Sequence, residues 1–240
     1  MNKTLKVISL LLTYPTEELQ AASGDLIAAL EDEKALGDRR RGLLTAVIKD
    51  IAADDLYDVQ ERYVLLFDRT RTLSLHLFEH VHGESRDRGQ AMVDLMATYE
   101  ANGFEVDTKE LPDYLPMFLE YLSLLPQEEA AELIGQTAHI LTALKERLKK
   151  RKSIYCNVFA VLESLALGKP DRSLVRSLLG IPEDDPTDLE ALDKIWEEEV
   201  VTFGGNAGEN SCGPDRLQRQ IRAAARKPAD PSAPSAQATH

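Results

Sequence analysis

The segment His76-Leu77-Phe78-Glu79-His80 concentrates more reactive side chains than any other part of the sequence, and it matches the pattern H-x-x-E-H. On a helix, His76 and His80 lie one turn apart on one face. They could share a zinc ion there, with Glu79 as the general base of a hydrolase. Three points oppose that chemistry. Leu73, Leu75 and Leu77 alternate with polar residues, which predicts an extended segment around His76 rather than the middle of a helix. No third ligand on a strong motif accompanies the pair, and five-residue patterns also arise by chance. Nearby, Gly83 and Gly89 bracket Glu84-Ser85-Arg86-Asp87-Arg88 without the Lys-Ser/Thr ending of a phosphate loop. Ser85 lacks the flanking glycines of a nucleophile elbow and reads as a helix N-cap. Cys156 falls in a helical pattern, where a small apolar residue is the plain reading. No catalytic residue, metal ligand or cofactor is expected from these motifs, and a zinc hydrolase at His76, Glu79 and His80 stands as a rival reading.

What positions this stretch is helix. Thr16 opens a segment with Leu19, Ala22, Leu26 and Leu30 on one face. Leu44, Val47, Ile48 and Ile51 share the face of a second segment, and Val59, Tyr63, Leu66 and Phe67 that of a third. Asp54 or Asp55 is placed to cap the third. A helix resumes near Ser85 with Met92, Leu95, Met96 and Tyr99 inward and ends at Asn102-Gly103. Asp113 is expected to cap the next helix, because Pro116 is tolerated only in a first turn. Beyond Pro126 runs a long helix carrying Ile134, Leu141, Leu144 and Leu148. Its basic end, Lys149 to Lys152, complements the helix dipole. Two further helices follow, through Val158 and Leu162 and through Leu174 and Leu178. Thr187 and Glu190 form a capping box for a last one containing Trp196.

The pattern predicts an all-α protein, a single helical bundle of about eight or nine helices over residues 1–203. Residues 204–240 are rich in Pro, Ala and Ser, lack apolar periodicity, and read as a disordered tail. The net charge is −13; the tail contributes +2, leaving −15 on residues 1–203. A field of that sign repels phosphate backbones and anionic lipid, so nucleic acid is excluded as a partner and basic partners are favoured. Val7 to Leu12 is too short for a signal-peptide core and is read as a first core helix, and no stretch reaches the length of a membrane span. A cytoplasmic protein, not integral to a membrane, is expected.

Residues 63–95 differ from the rest in mixing dense charge with Leu and Phe. That composition suits a groove with acids at its rim and apolar side chains on its floor, able to take a short basic and apolar peptide. The same residues carry a resemblance. Tyr63-Val-Leu-Leu-Phe67-Asp68-Arg69, followed by Leu73 to Met92, closely resembles the nitrate reductase molybdenum-cofactor assembly chaperones, the delta-subunit or NarJ family. Glu110-Leu-Pro-Asp-Tyr-Leu-Pro116 with Leu119-Glu120-Tyr121 is similar to the family's second motif, and Trp196-Glu-Glu-Glu199 to its acidic C-terminal helix. Relatives often carry His where this chain has Tyr114. Tyrosine keeps a flat ring and a hydrogen-bonding tip but does not titrate near neutrality.

The resemblance implies an all-helical, non-catalytic chaperone. Its partner would be the apo catalytic (alpha) subunit of a respiratory nitrate reductase, bound by that subunit's N-terminal peptide and held until the molybdenum cofactor is inserted. Leu77, Phe78 and Tyr114 are expected as apolar contacts for the peptide. Asp68, Glu79, Glu84, Asp87 and Asp113 are expected on the polar rim, with Arg86 and Arg88 pairing with those acids. A permanent structural subunit of the reductase is the other rival reading.

Overall fold

The computed structural model describes residues 2–82, 86–106 and 110–183, the side chains of His82 and Arg86 excepted. Trp196, the Thr187–Glu190 capping box and the 204–240 tail lie outside the described residues. Among the described residues every regular element is helical. The helices are α1 (Asn2–Leu11), α2 (Glu17–Ala21), α3 (Ser23–Asp32), α4 (Asp38–Ala53), α5 (Leu56–Tyr63), α6 (Leu77–His82), α7 (Arg86–Ala101), α8 (Leu115–Leu124), α9 (Gln127–Lys150), α10 (Cys156–Leu165) and α11 (Arg172–Leu179). These eleven exceed the expected eight or nine for a local reason. The segment opened by Thr16 breaks at Ala22 into α2 and α3, and the short α6 forms where only an extended link was read.

Apolar periodicity decides what each helix buries. Leu44, Val47, Ile48 and Ile51 of α4 are all buried, as are Leu115, Phe118, Leu119 and Leu122 of α8. α1 packs on α8, and Ser9 Oγ donates to Pro116 O at 2.7 Å between them. α9 packs against α10 and α11, and Leu5, Ile8, Leu12, Ile134, Leu144 and Phe159 sit in one continuous core. Thr16 caps α2 by accepting from Leu19 N, and Asp55 caps α5 by accepting from Tyr57 N. Gly103, with φ of 71°, takes the left-handed conformation after α7 that its position requires.

At its C-terminus α5 does not stop but widens into one π-helical turn, Val64–Asp68, closed by Arg69 N donating to Val64 O at 3.0 Å. The inserted residue turns Phe67 inward, where it stands between Tyr63 and Tyr155 with ring centroids 5.0 and 5.2 Å away. Asp68 is carried to the surface just beyond. A second aromatic group, Tyr99, Phe104 and Tyr121, pins α7 to α8, and Tyr99 Oη donates to Pro112 O at 2.8 Å.

The link after α10 runs close along α9. Leu167 N donates to Ala131 O at 2.8 Å, and a Cβ built on Gly135 would stand 2.4 Å from Leu167 O. Gly135→Ala must therefore push backbone apart. We expect it to destabilise the protein by about 2 kcal/mol in urea denaturation, although alanine gains about 1 kcal/mol of helix propensity over glycine.

Candidate functional site

The segment between the 3-10 turn at Arg71–Leu73 and α6 is extended, as the leucine alternation predicts, and it crosses the stretch before α8. His76 and Tyr114 form an isolated antiparallel bridge. Leu77 N donates to Asp113 O at 3.0 Å, and Leu115 N donates to Leu75 O at 2.8 Å. These are main-chain bonds between positions almost forty residues apart in sequence. They fix the start of α6 against the start of α8.

Asp113 sits at this crossing with none of its surface exposed. Its Oδ1 accepts from His76 Nδ1 at 3.1 Å, and its Oδ2 accepts from Phe78 N at 3.0 Å, with Arg88 Nη2 4.0 Å away. The expected cap is thus made on a different helix. Asp113 satisfies a free N–H in the first turn of α6, whereas α8 begins at Tyr114 without a side-chain cap. A wholly buried carboxyl cannot belong to a peptide-facing rim, so that expectation is corrected: the crossing itself encloses Asp113.

The remaining expected residues divide between two concavities on either side of the crossing. One, of about 280 Å³, is lined by Tyr14, Tyr63, Phe67, Asp68, Leu75, His76, Glu110 and Tyr114. The other is an open, mostly apolar groove of about 850 Å³. α6 gives it Leu77, Phe78, His80 and Val81; α7 gives Asp94 and Leu95; Phe118, Leu133 and Ile140 come from α8 and α9; Leu174, Leu178 and Ile181 close the far side. Asp68 and Tyr114 therefore fall in the smaller cavity, and Leu77 and Phe78 in the groove. Glu79 pairs with Arg88 at 3.4 Å, as expected for one of the two arginines. Asp87 is exposed on α7. Glu84 lies outside the described residues.

The histidines do not share a helical face. His76 precedes α6, and its ring stacks at 5.4 Å on Tyr114 while its Nδ1 is held by Asp113. His80 donates from Nε2 to Ser74 O at 2.8 Å, which occupies the nitrogen that would face a metal shared with its neighbour. Among the described residues no three His, Cys, Asp or Glu side chains converge to hold a metal ion.

The family model described as nitrate reductase delta subunit matches residues 17–161, a span that includes α2 to α9, the crossing and most of the groove. The chain belongs to the nitrate reductase delta subunit family. Similar members include NarJ of Escherichia coli strain K12, named a nitrate reductase molybdenum cofactor assembly chaperone. It is 42% identical over 218 residues, 91% of each chain. NarW of the same strain, named a probable nitrate reductase molybdenum cofactor assembly chaperone, is 46% identical over 200 residues, 83% of each chain. Among solved structures, a protein from Archaeoglobus fulgidus, titled "a putative redox enzyme maturation protein", shares the fold. Its TM-score is 0.51 at 21% identity, with 68% of this chain and 92% of that chain covered.

Within this delta subunit fold the sequence reading missed the far wall of the groove. Leu174 and Leu178 come from a helix read only for its apolar face, and Ile181 from the segment just beyond it. The available signal was on α11, where Leu174 and Leu179 are 46% and 42% exposed although the helix is strongly amphipathic. Apolar surface left open on a short amphipathic helix marks a face without a partner.

The two histidines should oppose each other with pH. The hydrogen bond to Asp113 raises the His76 pKa above its ordinary 6.5. Its contribution to stability is then fully present below pH 6.5 and is lost as pH rises through the raised value. Burial lowers the pKa of His80 below 6.5, so its contribution is present above that pH and is lost as pH falls toward the lowered value. His76→Gln should therefore flatten the decline of unfolding free energy as pH rises above 6.5, measured by urea denaturation at each pH. A decline of unchanged slope would assign it to another group.

Proposed function

We propose that this chain is a cytoplasmic, non-catalytic assembly chaperone for the apo catalytic subunit of a respiratory nitrate reductase, and that it binds that subunit's N-terminal peptide while the molybdenum cofactor is inserted. The relatives' names support nitrate reductase as the enzyme served. The observation that supports peptide binding is the 850 Å³ apolar groove, walled by five helices, with Asp94 among its lining residues. Its size and lining suit an amphipathic helix laid into a groove, with alternate turns giving apolar anchors. No described helix is long and apolar enough to cross a membrane.

Calorimetric titration with a synthetic peptide of the catalytic subunit's N-terminus tests the reading. Val81 is 53% exposed on the groove wall, so Val81→Asp should leave the fold intact. It should weaken binding at least about tenfold, equivalent to roughly 1.4 kcal/mol. Glu79→Gln with Asp87→Asn should reduce the salt dependence of binding and leave a salt-insensitive remainder. Unchanged binding by all three substitutions would place the peptide elsewhere. In cells, a chaperone should accumulate on client that lacks cofactor, and constant co-purification with mature enzyme would favour a structural subunit instead.

A further inference from the structure

A third concavity, of about 280 Å³, opens on the outer face of α5 and shares no lining residue with the groove. Tyr57, Glu61, Val64 and Leu65 recur at helical spacing and form one stripe along α5 and its π-helical turn. Tyr57 is 79% exposed, and Val64 and Leu65 are half-buried. The opposite wall is Tyr14, stacked edge-on to Tyr63 at 5.7 Å. Gln60 Nε2 donates to Pro15 O at 2.8 Å and ties that wall to the helix. Arg69 closes the end beyond the π-helical turn. Glu61 and Arg69 are both exposed and line the same hollow, yet neither has an ion-pair partner among the described residues. The stripe thus has an aromatic and acidic end, an apolar middle and a basic end. An open ring beside unpaired charges of both signs marks a face that lacks its partner.

We infer that this face binds a second copy of the same chain, across a two-fold axis that sets the two α5 stripes antiparallel. A two-fold contact needs a patch complementary to itself. With the axis beside Tyr63, position 57 of one copy stands opposite 69 of the other, and 61 opposite 65. Each Arg69 then meets Tyr57 and Glu61 of the other copy, which lie one helical turn apart. The guanidinium gains a ring face and a carboxylate together. Each Tyr57 enters the other copy's hollow over Val64 and Leu65. The 280 Å³ there equals roughly nine waters at about 30 Å³ each, room for a phenol ring. A purely basic partner would find only Glu61, and a purely acidic one only Arg69. The face fits a partner with the same groups in reverse order, and an antiparallel copy is one. The contact is small, of the class below about 1,200 Å² that forms transient complexes. Each copy carries −13, so association should tighten as salt screens that repulsion. The groove stays open in both copies, and nothing in this inference depends on the chaperone reading.

Sedimentation equilibrium of the full chain, from micromolar to near-millimolar concentration at low and at physiological salt, tests this. The average mass should climb from 26.7 kDa toward twice that value, and further at the higher salt. Tyr57→Asp should weaken self-association at least about tenfold with no change in melting temperature, because the ring is exposed. Glu61→Arg and Arg69→Glu should each self-associate poorly. Mixed one to one, the two variants should associate with each other, since every charge pair across the axis is then arginine against glutamate. A mass that stays at 26.7 kDa throughout, undiminished association of Tyr57→Asp, or a mixture no better than its components would each overturn the proposal. So would a wild-type chain that stays monomeric while Tyr57→Asp loses the synthetic client peptide, for the face would then belong to the client.

Discussion

Asp113→Ala should lower unfolding free energy by about 2 to 4 kcal/mol. The carboxyl is fully buried, so its partners lose a group that water does not readily replace. Phe78 N loses its acceptor in the first turn of α6, His76 Nδ1 loses its carboxyl, and Arg88 is left beside a small apolar cavity. The figure is below that for a fully buried ion pair because His76 and Arg88 keep 24% and 21% side-chain exposure and can turn toward water. Asp113→Asn should recover part of the loss, since an amide oxygen still caps Phe78 N. Because α6 supplies four residues of the groove, the alanine variant should also bind the client peptide poorly. A loss of less than about 1 kcal/mol in urea denaturation would show that the crossing holds through its main-chain bonds alone.

Arg147→Met should have an effect of similar size with a different location. The guanidinium is 2% exposed; Nη1 donates to Thr72 O at 2.6 Å and Nη2 to Leu178 O at 2.5 Å. Methionine fills much of the volume and removes the cost of burying a charge, but Thr72 O loses this donor and Leu178 O is left with the Ile181 N–H at 3.2 Å, and a buried acceptor deprived of its partner costs about 1 to 3 kcal/mol. We expect a net loss of about 2 to 4 kcal/mol. Leu178 and Ile181 line the groove, so the end of α11 should loosen first. Amide exchange at residues 178–181 should accelerate more than exchange in α4. Uniform acceleration across both regions would mean that Arg147 supports the whole fold rather than one wall.

Much of this was open to a reader of the sequence because it depends on residues close together in the chain. The buried faces of α4, α5, α8 and α9 follow from apolar spacing, and Thr16 and Asp55 cap the helices they precede. The alternation of Leu73, Leu75 and Leu77 correctly kept His76 outside a helix. What was not legible joins distant residues. Asp113 was assigned to the nearest helix start, yet its acceptor atoms serve α6, whose first turn lies some 35 positions earlier. The π-helical turn at Val64–Asp68 leaves no mark in a periodicity that differs by a single residue. The division of the expected site between two concavities depends on where α6 and α8 cross, which no local pattern encodes. The client came from resemblance, since no residue of the chaperone specifies molybdenum or nitrate.

The pairing of residues 75–77 with 113–115 also bears on the order in which the molecule assembles. Helices such as α4 and α9 can begin to form from neighbours in the chain, but this short ladder requires closure of a loop of almost forty residues that includes all of α7. Loop closure of that length is an entropic cost met before the contacts reward it. Both concavities are bounded by the crossing, so they would be among the last parts of the protein to exist during folding. A newly made chain would then lack the groove proposed for the peptide until the rest of its own core was in place.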